Sequence, residues 1–388
     1  MTIDLYAKAL QSILDFWSTR AVDPEGGFYG RITSDNRVEP GAPKGSVLNA
    51  RILWTFSAAY RYDPQKAYLA AARRAYNFIS SYFIDRENGG VYWSVASDGR
   101  PLDTKKQIYA LAFALYGLSE YHAATGDPEA LREAIGLYRD IEAHSLDSVS
   151  HGYWEAFSRD WQPLSDVRLS LRDVNEQKTM NTHLHVLEAY TNLYRVWPDI
   201  GLREQIDKLL GIFLDHIIDP ATHHLVLFFD EAWHSRSDTI SYGHDIEASW
   251  LLPEAAHAIG SREEEVCATG LLLAEAASEG LAPDGSLWYE YEPVKDHWRL
   301  EKHWWVQAEA MVGFLNAWRV SGDDRWKARF ERVWTFIDAH IVDRVGGEWW
   351  WGVLADNTPM PDEDKAGIWK CPYHNGRALL EVIQRLVG

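Results

Sequence analysis

A short turn rich in glycine and aromatic residues occurs six times along this chain at nearly even spacing. The six copies begin at or near Asp23, Asp85, His151, Asp219, Asp284 and Asp343. Their equivalent positions are separated by 63, 62, 72, 61 and 62 residues. A fixed period indicates a repeated supersecondary unit that buries its apolar face against its neighbours. Each interval has room for two helices of ordinary length and a hairpin.

Six such helix pairs predict an all-α fold in which the pairs close into a ring, an (α/α)6 barrel with short β-hairpin turns at one end. An open solenoid is the alternative. Solenoids usually end in atypical capping repeats, whereas the first and last turns of this chain are as well formed as the middle ones. We therefore expect residues 1–388 to form a single barrel domain that carries the functional site.

Two kinds of helical segment follow the turns. One kind is apolar around most of its circumference, which predicts burial in an inner ring: 50–59, 108–118, 184–194, 246–259, 308–318 and 377–386. The other kind is amphipathic and predicts an outer ring. It includes 67–82, 128–142, 202–216 and 324–340.

Composition and charge disfavour two classes of partner. The chain has 38 basic and 57 acidic residues and a formal charge of −19, which repels nucleic acid and anionic membranes. Its first residues lack the features of a signal peptide, and no stretch is apolar enough to span a membrane. Cys267 and Cys371 are then expected to be reduced thiols. We expect a cytoplasmic protein, monomeric or homodimeric, without nucleic-acid or membrane partners.

Polar or aromatic residues stand at or near the start of each predicted inner helix. In a closed ring, equivalent positions meet at one mouth, so these residues are expected to form one pocket. In chain order they are Asn49 with Arg51, Tyr109, Asn181 with His185, His244 with Glu247, Trp305 with Glu309, and His374 with Asn375. The chain also has 19 Trp and 19 Tyr. A few of these rings could form apolar platforms that suit the C–H faces of a sugar.

The histidines differ in their expected roles. On a helix, His185 shares one stripe with Asn181 and Glu188, which makes it a candidate for the pocket. His183 points elsewhere and is expected to be a hydrogen-bonded structural residue.

His244 stands three residues before Glu247, a carboxylate close enough in sequence to hold the tautomer of the imidazole. His374 lies in a Pro/Gly-bounded turn that enters the last inner helix, a place from which a side chain is aimed into a site. Cys371 could be read as a nucleophile, but His374 is the better-placed base.

Motifs for metals and nucleotides are missing from the sequence. It contains no Walker-type phosphate loop, no G-x-G-x-x-G after a strand, no His-Glu-x-x-His and no paired C-x-x-C. His223 and His224 are adjacent in the fourth turn but have no carboxylate at a useful spacing. We expect neither a required metal nor a cofactor.

Histidines with supporting carboxylates suit proton abstraction next to a carbonyl group. Removal of the C2 proton of an aldose gives an enediolate, and return of a proton to the other face inverts C2. Histidine has the neutral pKa that this exchange needs, and Arg51 would stabilise the developing oxyanion. The sequence therefore favours a small sugar as the substrate.

Four long segments extend this interpretation. They are Met-Asn-Thr-His-Leu-His-Val-Leu-Glu-Ala-Tyr from Met180, Ser-Tyr-Gly-His-Asp-Ile-Glu-Ala-Ser-Trp from Ser241, Trp-Trp-Val-Gln-Ala-Glu-Ala from Trp304 and Lys-Cys-Pro-Tyr-His-Asn-Gly-Arg from Lys370. In this order they closely resemble the cellobiose 2-epimerases of the N-acylglucosamine 2-epimerase superfamily, and the likeness spans essentially the whole chain. It implies an (α/α)6 barrel that interconverts glucose and mannose configurations at the reducing end of β-1,4 disaccharides, such as cellobiose and lactose, without a cofactor.

The resemblance also implies roles for single residues. His244 and His374 become the acid/base pair that flanks C2, and Arg51 binds the oxygens at C1 and C2. His185 and Asn181 orient the opened sugar. Other positions match residues of the family that contact or stack on substrate: Tyr109, Asp173, Glu247, Trp305 and Trp369. For Asp173 and Trp369 the resemblance is the only indication.

Four alternatives remain open at this point. Mannose 2-epimerases are very similar, and mannose isomerases use the same enediolate but reprotonate C1 to give a ketose. A glycosidase would use two carboxylates such as Asp173, Glu247 or Glu309, which leaves His244 and His374 without a clear role. The fourth alternative is a sugar-binding protein without catalysis.

Overall fold

The helices alternate between an inner and an outer ring. The computed structural model describes residues 3–387. Within them are twelve α-helices: α1 (Ile3–Thr19), α2 (Ser46–Tyr62), α3 (Lys66–Phe78), α4 (Ile108–Thr125), α5 (Pro128–His144), α6 (Met180–Val196), α7 (Ile200–Ile212), α8 (Tyr242–Ile259), α9 (Glu263–Ala277), α10 (Trp304–Ser321), α11 (Asp324–Phe336) and α12 (Tyr373–Val387). Three outer helices, α3, α7 and α11, end in a π-helical turn: Ile79–Phe83, Phe213–Ile217 and Ile337–Ile341.

The even-numbered helices form the inner ring. Each packs against the next even-numbered helix, and α12 packs against α2, which closes the ring. Helix α4 shows the inner type, since every residue from Ile108 to Tyr121 is buried. The predicted (α/α)6 barrel is confirmed, and each of the six segments predicted as inner lies within an even-numbered helix.

Short antiparallel strands gather where the inner helices begin. They are β1 (Lys44–Gly45), β2 (Ser94–Val95), β3 (Pro101–Asp103), β4 (Lys106–Gln107), β5 (Ala156–Phe157), β6 (Lys178–Thr179), β7 (Phe228–Phe229), β8 (Ile240–Ser241), β9 (Glu290–Glu292), β10 (His297–Arg299), β11 (Lys302–His303) and β12 (Gly352–Val353). They pair in the orders β1-β2-β3, β4-β5, β6-β7, β8-β9-β10 and β11-β12. The strand before an inner helix therefore pairs with a strand that follows the next turn, as Lys44 does with Val95.

The six repeated turns are equivalent hairpins, as the sequence predicts. Each is closed by one antiparallel bridge: Val22 with Phe28, Ile84 with Val91, Leu146 with Tyr153, Ile218 with Leu225, Leu281 with Leu287, and Val342 with Trp349. The hairpin needs a residue in the left-handed region, which glycine adopts without a Cβ penalty. Gly90 has a φ of +67°, and His223 takes this conformation in the fourth turn with a φ of +62°.

Buried lysines tie the hairpins to the inner helices. Lys44, two residues before α2, lies 2.7 Å from the carboxylate of Asp23 in the preceding turn. The same pair recurs as Lys106 with Asp85, Lys178 with Asp147, and Lys302 with Asp284. In the fourth repeat Ile240 occupies the equivalent position. The pairs fix the starts of the inner helices, where the candidate site lies.

Candidate active site

A cavity of about 640 Å³ opens at the end of the barrel where the inner helices begin. Ten of the residues predicted for the site line it: Arg51, Tyr109, Asp173, Asn181, His185, His244, Glu247, Trp305, Trp369 and His374. Glu309, which was also predicted, does not. Asn49 and Asn375 do not line it. Their amides donate to Gly45 O at 2.8 Å and to Glu348 at 2.8 Å, so they brace the starts of two inner helices.

His374 is held from behind by Glu309. The Nδ1 atom of His374 lies 2.6 Å from Oε1 of Glu309, which is fully buried outside the cavity wall. We assign the Nδ1 proton to this contact because a carboxylate accepts. Nε2 then carries a lone pair and faces the cavity. Burial, with a further contribution from Arg51, lowers the pKa of His374 well below that of an ordinary histidine.

His244 has a different partner from the one that its sequence spacing indicates. Its Nδ1 lies 2.8 Å from Oγ of Ser241, while Glu247 turns away to Arg377. The expected contact between His244 and Glu247 is therefore wrong: the helix places the two side chains in different surroundings. A hydroxyl can both donate and accept, so Ser241 permits either tautomer. Burial chiefly lowers the pKa of His244 to about 3.

Trp305 contacts both of these histidines. Its ring centroid is 4.8 Å from that of His244 and 5.7 Å from that of His374. Neither histidine uses Nε2 in a hydrogen bond with any residue from 3 to 387. The cavity thus contains two imidazoles beside one indole, each with Nδ1 engaged and Nε2 open to a ligand.

His185 and Glu188 interact as their shared helical stripe predicts. The Nδ1 atom of His185 lies 2.8 Å from Oε2 of Glu188, and the imidazole ring packs against Phe113 with centroids 4.7 Å apart. Burial lowers the pKa of His185, although the bond to Glu188 opposes that effect. His185 is therefore a neutral imidazole that faces the cavity.

Arg377 connects the carboxylates behind these histidines. Its guanidinium donates to Glu188, to Glu247 at 2.8 Å and to Glu309 at 2.7 Å, and all four side chains are buried. Sequence reasoning missed this residue. The sequence feature that could have indicated it is a charged residue three positions after His374 on a helix whose neighbouring residues are mostly apolar.

Arg51 places a positive charge in the cavity wall. Its Nη2 donates to Oη of Tyr109 at 2.7 Å, and the guanidinium lies over the Phe113 ring at 4.1 Å from the centroid. Trp369 packs nearby, with its ring centroid 6.0 Å from that of Tyr109. Asp173 lies in the loop between β5 and β6, where Oδ2 accepts the N–H of Ser170 at 2.8 Å and burial raises the pKa of the carboxyl.

Glu155 and Glu290 are two acids of the cavity wall that the sequence did not single out. Glu155 accepts from Thr182 at 2.7 Å, and burial raises the pKa of its carboxyl to about 8. Burial raises the pKa of Glu290, in β9, to about 7. Glu155 immediately precedes β5 and Glu290 begins β9, so both lie outside the helical pattern on which the sequence interpretation depends.

The remaining candidates make structural contacts. His183 accepts the N–H of Tyr153 at 2.9 Å on Nε2, and its Nδ1 contacts Thr179 O at 2.6 Å. Cys371 is buried, and burial raises the pKa of its thiol. His224 lies 2.7 Å from Asp245, so the expectation that no carboxylate is near it is wrong. The two residues are 21 positions apart and meet only in the fold.

One group of side chains among the described residues has donor atoms close enough together for a cation. Atoms of Glu247, Glu309 and His374 lie within 4.8 Å of one another. Arg377 donates to both carboxylates, and Glu309 also contacts Nδ1 of His374. The guanidinium is thus the cation of this cluster, and we assign no metal site to it.

Comparison with known proteins identifies the family and the fold. The sequence model of the family N-acylglucosamine 2-epimerase (GlcNAc 2-epimerase) matches residues 27–378. A relative from Bacteroides fragilis, named cellobiose 2-epimerase, is 53% identical over 374 residues, which is 96% of this chain and 95% of the relative. The solved structure of cellobiose 2-epimerase from Bacillus thermoamylovorans B4167 has a TM-score of 0.95 at 42% identity and covers 99% of both chains. A D-mannose isomerase structure shares the fold, with a TM-score of 0.87 at 21% identity over 98% of this chain and 97% of its own.

The fold and the relatives define the protein as an isomerase built on an (α/α)6 barrel. The chain belongs to the N-acylglucosamine 2-epimerase family, which confirms the resemblance of its four long segments. Across residues 3–387, no helix combines the length and the apolar character that a membrane crossing would need.

Proposed function

We propose that this protein inverts C2 of the reducing-end glucose of β-1,4 disaccharides, converting cellobiose to glucosyl-mannose and lactose to epilactose. One observation carries the proposal: two imidazoles, those of the half-buried His244 and the buried His374, open Nε2 into the same cavity beside the guanidinium of Arg51. The names of the two similar epimerases support the choice of substrate.

The chemistry follows from the partners of each side chain. After the sugar ring opens, Nε2 of His374 takes the C2 proton, and Glu309 stabilises the imidazolium that forms. Arg51 stabilises the enediolate oxygens. Both histidines rest as neutral imidazoles because burial lowers the pKa of each. Before the second transfer His244 takes up a proton from solvent, and the imidazolium then gives that proton to the opposite face of C2 and returns to the neutral form. The enzyme is restored when His374 releases the C2 proton to solvent.

The other residues of the cavity position the sugar in this proposal. His185 and Asn181 orient the opened chain. Trp305 and Trp369 present ring faces to the sugar, and Tyr109, Asp173 and Glu247 offer polar contacts. Glu309 supports His374 rather than contacting the sugar, because it does not line the cavity. A cavity of about 640 Å³ lies in the range typical of small-molecule sites.

The alternatives differ in their products. A mannose 2-epimerase or a mannose–fructose isomerase would use the same imidazoles, and a D-mannose isomerase shares the fold. A glycosidase is disfavoured because Arg377 already engages Glu188, Glu247 and Glu309. A sugar-binding protein without catalysis has no use for two open imidazoles. The cytoplasmic location, the single domain and the oligomeric state stay predictions.

The test is incubation of the purified protein with cellobiose, and separately with mannose, in D2O, with products followed by NMR. Glucosyl-mannose with deuterium at C2 is the expected result. Turnover of mannose alone would replace the proposal with a mannose epimerase, or with an isomerase if fructose forms. Glucose released from cellobiose would indicate a hydrolase, and no change in either sugar would favour a binding protein.

A further inference from the structure

Three buried carboxylates share one guanidinium behind the cavity. Glu188 on α6, Glu247 on α8 and Glu309 on α10 each accept from Arg377 on α12. Like charges at such short range in a medium of low dielectric repel strongly, so a cluster of this kind retains a proton on one of its acids. The partners of each carboxylate decide which acid keeps it.

Glu188 and Glu309 are each surrounded by donors. Glu188 accepts from Arg377, from Tyr373 and from Nδ1 of His185. Glu309 accepts from Arg377, and it contacts Nδ1 of His374 at 2.6 Å. Its other oxygen accepts from Nε1 of Trp250 at 3.1 Å. Three donors stabilise the ionised form of a carboxylate. Although burial opposes them, Arg377 and the other donors lower the pKa of Glu188 to about 2. Burial raises the pKa of Glu309, and its donors oppose that shift.

Glu247 has a single donor. Its Oε1 accepts from Arg377 at 2.8 Å, while its Oε2 is buried and has no hydrogen-bond partner among residues 3–387. Glu247 is the one acid of the three that lies on the cavity wall and also leaves an oxygen unpaired. A bare carboxylate oxygen in such a place is costly, whereas a protonated oxygen carries an O–H that a ligand can accept.

We propose that Glu247 is a neutral carboxylic acid in the resting protein and that its Oε2–H donates a hydrogen bond to the substrate. This inference rests on the proposed function for the identity of that substrate. The bond goes to the enediolate oxygen that gains charge as C2 loses its proton. The proton stays on Glu247 throughout, so the residue acts beside Arg51 as a fixed donor and not as a proton carrier.

The charged and titratable groups around Glu247 agree with this assignment. They come from every inner helix: Arg51 on α2, Tyr109 on α4, His185 and Glu188 on α6, His244 on its own α8, Glu309 on α10, and Tyr373, His374 and Arg377 on α12. Burial, followed by repulsion from Glu309, raises the pKa of Glu247 well above that of an ordinary carboxyl group, although Arg377 opposes the shift.

An infrared measurement tests the protonation without reference to turnover. The carbonyl stretch of a protonated carboxyl group, which shifts in D2O, is expected in wild type at pH 7 and is expected to lose one component in Glu247→Gln. Glu155→Gln serves as the positive control: burial raises the pKa of Glu155 to about 8, so it too is protonated at pH 7, and its removal is expected to take away a different component of the band. A Glu247→Gln spectrum that keeps the full band would overturn the proposal, whatever the activity of the enzyme.

Kinetics test the donated bond. Glu247→Gln keeps an N–H donor, so kcat at neutral pH is expected to fall less than about tenfold, whereas Glu247→Leu loses the donor and is expected to fall about 100-fold or more. Wild type is expected to lose kcat at alkaline pH as Glu247 ionises, and Glu247→Gln should lack that decline. Equal losses in the two variants, with the alkaline decline unchanged, would show that Glu247 is not a donor to the substrate.

If wild type has no epimerase activity, the proposed function fails, while the infrared result still decides whether Glu247 is protonated. If the glutamine variant does not fold, the band of Glu247→Asp against wild type gives the same test: an unshifted band overturns the proposal.

Discussion

The Nδ1 atom of His374 and the Oε1 atom of Glu309 lie 2.6 Å apart, and both side chains are buried. The carboxylate fixes the tautomer of the imidazole and stabilises the imidazolium that forms when His374 takes a proton. In Glu309→Gln the amide oxygen can still accept the bond, but the negative charge is lost. We expect kcat to fall about 100-fold.

The effect on KM identifies the role of Glu309. Because Glu309 does not line the cavity, KM is expected to change by less than about threefold, as for the loss of an interaction made only in the transition state. Glu133→Gln is the matched control. Glu133 is a buried glutamate on the outer helix α5 that pairs with Arg86, so this substitution is expected to leave kcat unchanged. A large rise in KM with kcat maintained would show that Glu309 binds the sugar instead.

The two imidazoles that open Nε2 into the cavity should each be essential. His244→Ala and His374→Ala are expected to abolish turnover while the fold and much of the sugar affinity remain, measured by NMR of the products and by calorimetric titration. His257→Ala, on the same helix as His244 but with 83% of its side chain exposed, is the control. Turnover near that of wild type in either active-site variant would contradict the assignment of two histidines.

Arg51 is expected to act on the transition state more than on binding. Arg51→Ala removes the positive charge beside the enediolate, so kcat should fall about 100-fold or more and KM should rise less. Tyr109→Phe removes the hydroxyl that accepts from Arg51 at 2.7 Å but keeps the guanidinium, and it should reduce kcat far less. Steady-state kinetics on cellobiose distinguish the two. An unchanged kcat in Arg51→Ala would exclude this role.

His303 should make stability depend on pH. Burial chiefly lowers its pKa to about 3, against about 6.5 in an unfolded chain. Below pH 6.5 the unfolded chain binds a proton that the folded protein does not, so this contribution to stability is present above pH 6.5 and is lost as the pH falls. The loss by pH 5 is about 2 kcal/mol.

Comparison with His303→Gln isolates this effect, because the raised pKa values of Glu155 and Glu290 act in the opposite direction in both proteins. Urea unfolding at pH 7.5 and at pH 5.0 gives the difference in unfolding free energy between wild type and variant. We expect this difference to fall by about 2 kcal/mol between the two pH values. A difference that does not change with pH would mean that His303 titrates as in the unfolded chain.

The ring of helices and the location of the site could be predicted because both depend on local, repeated features. Apolar segments and turn residues recur every repeat, and equivalence around a closed ring brings Arg51, His185 and His374 together. The pairings behind the cavity could not be predicted in this way. Arg377 contacts Glu188, which is 189 positions away in the sequence. His244 contacts Ser241 and not Glu247 because of their side-chain rotamers, which the spacing of the residues does not determine.

The buried Lys–Asp pairs were also missed, and they offer a test of what holds the hairpins to the inner helices. Lys178 contacts Asp147 at 2.7 Å and also donates to the backbone oxygens of His151 and Glu231. Lys178→Met removes the cation and leaves a buried carboxylate without its charge partner, which is expected to cost about 3–5 kcal/mol of unfolding free energy.

The second step of this test is Lys178→Met combined with Asp147→Asn. The amide oxygen can still accept the N–H groups of Val149 and Ser150, so the double variant removes the charge and keeps the turn. We expect it to regain more than half of the stability lost in Lys178→Met, measured by urea unfolding. The fourth repeat supports this outcome, because Ile240 stands at the position of the lysine there and the hairpin still forms. A double variant no more stable than Lys178→Met would show that the lysine acts through its bonds to backbone oxygens and not through the ion pair.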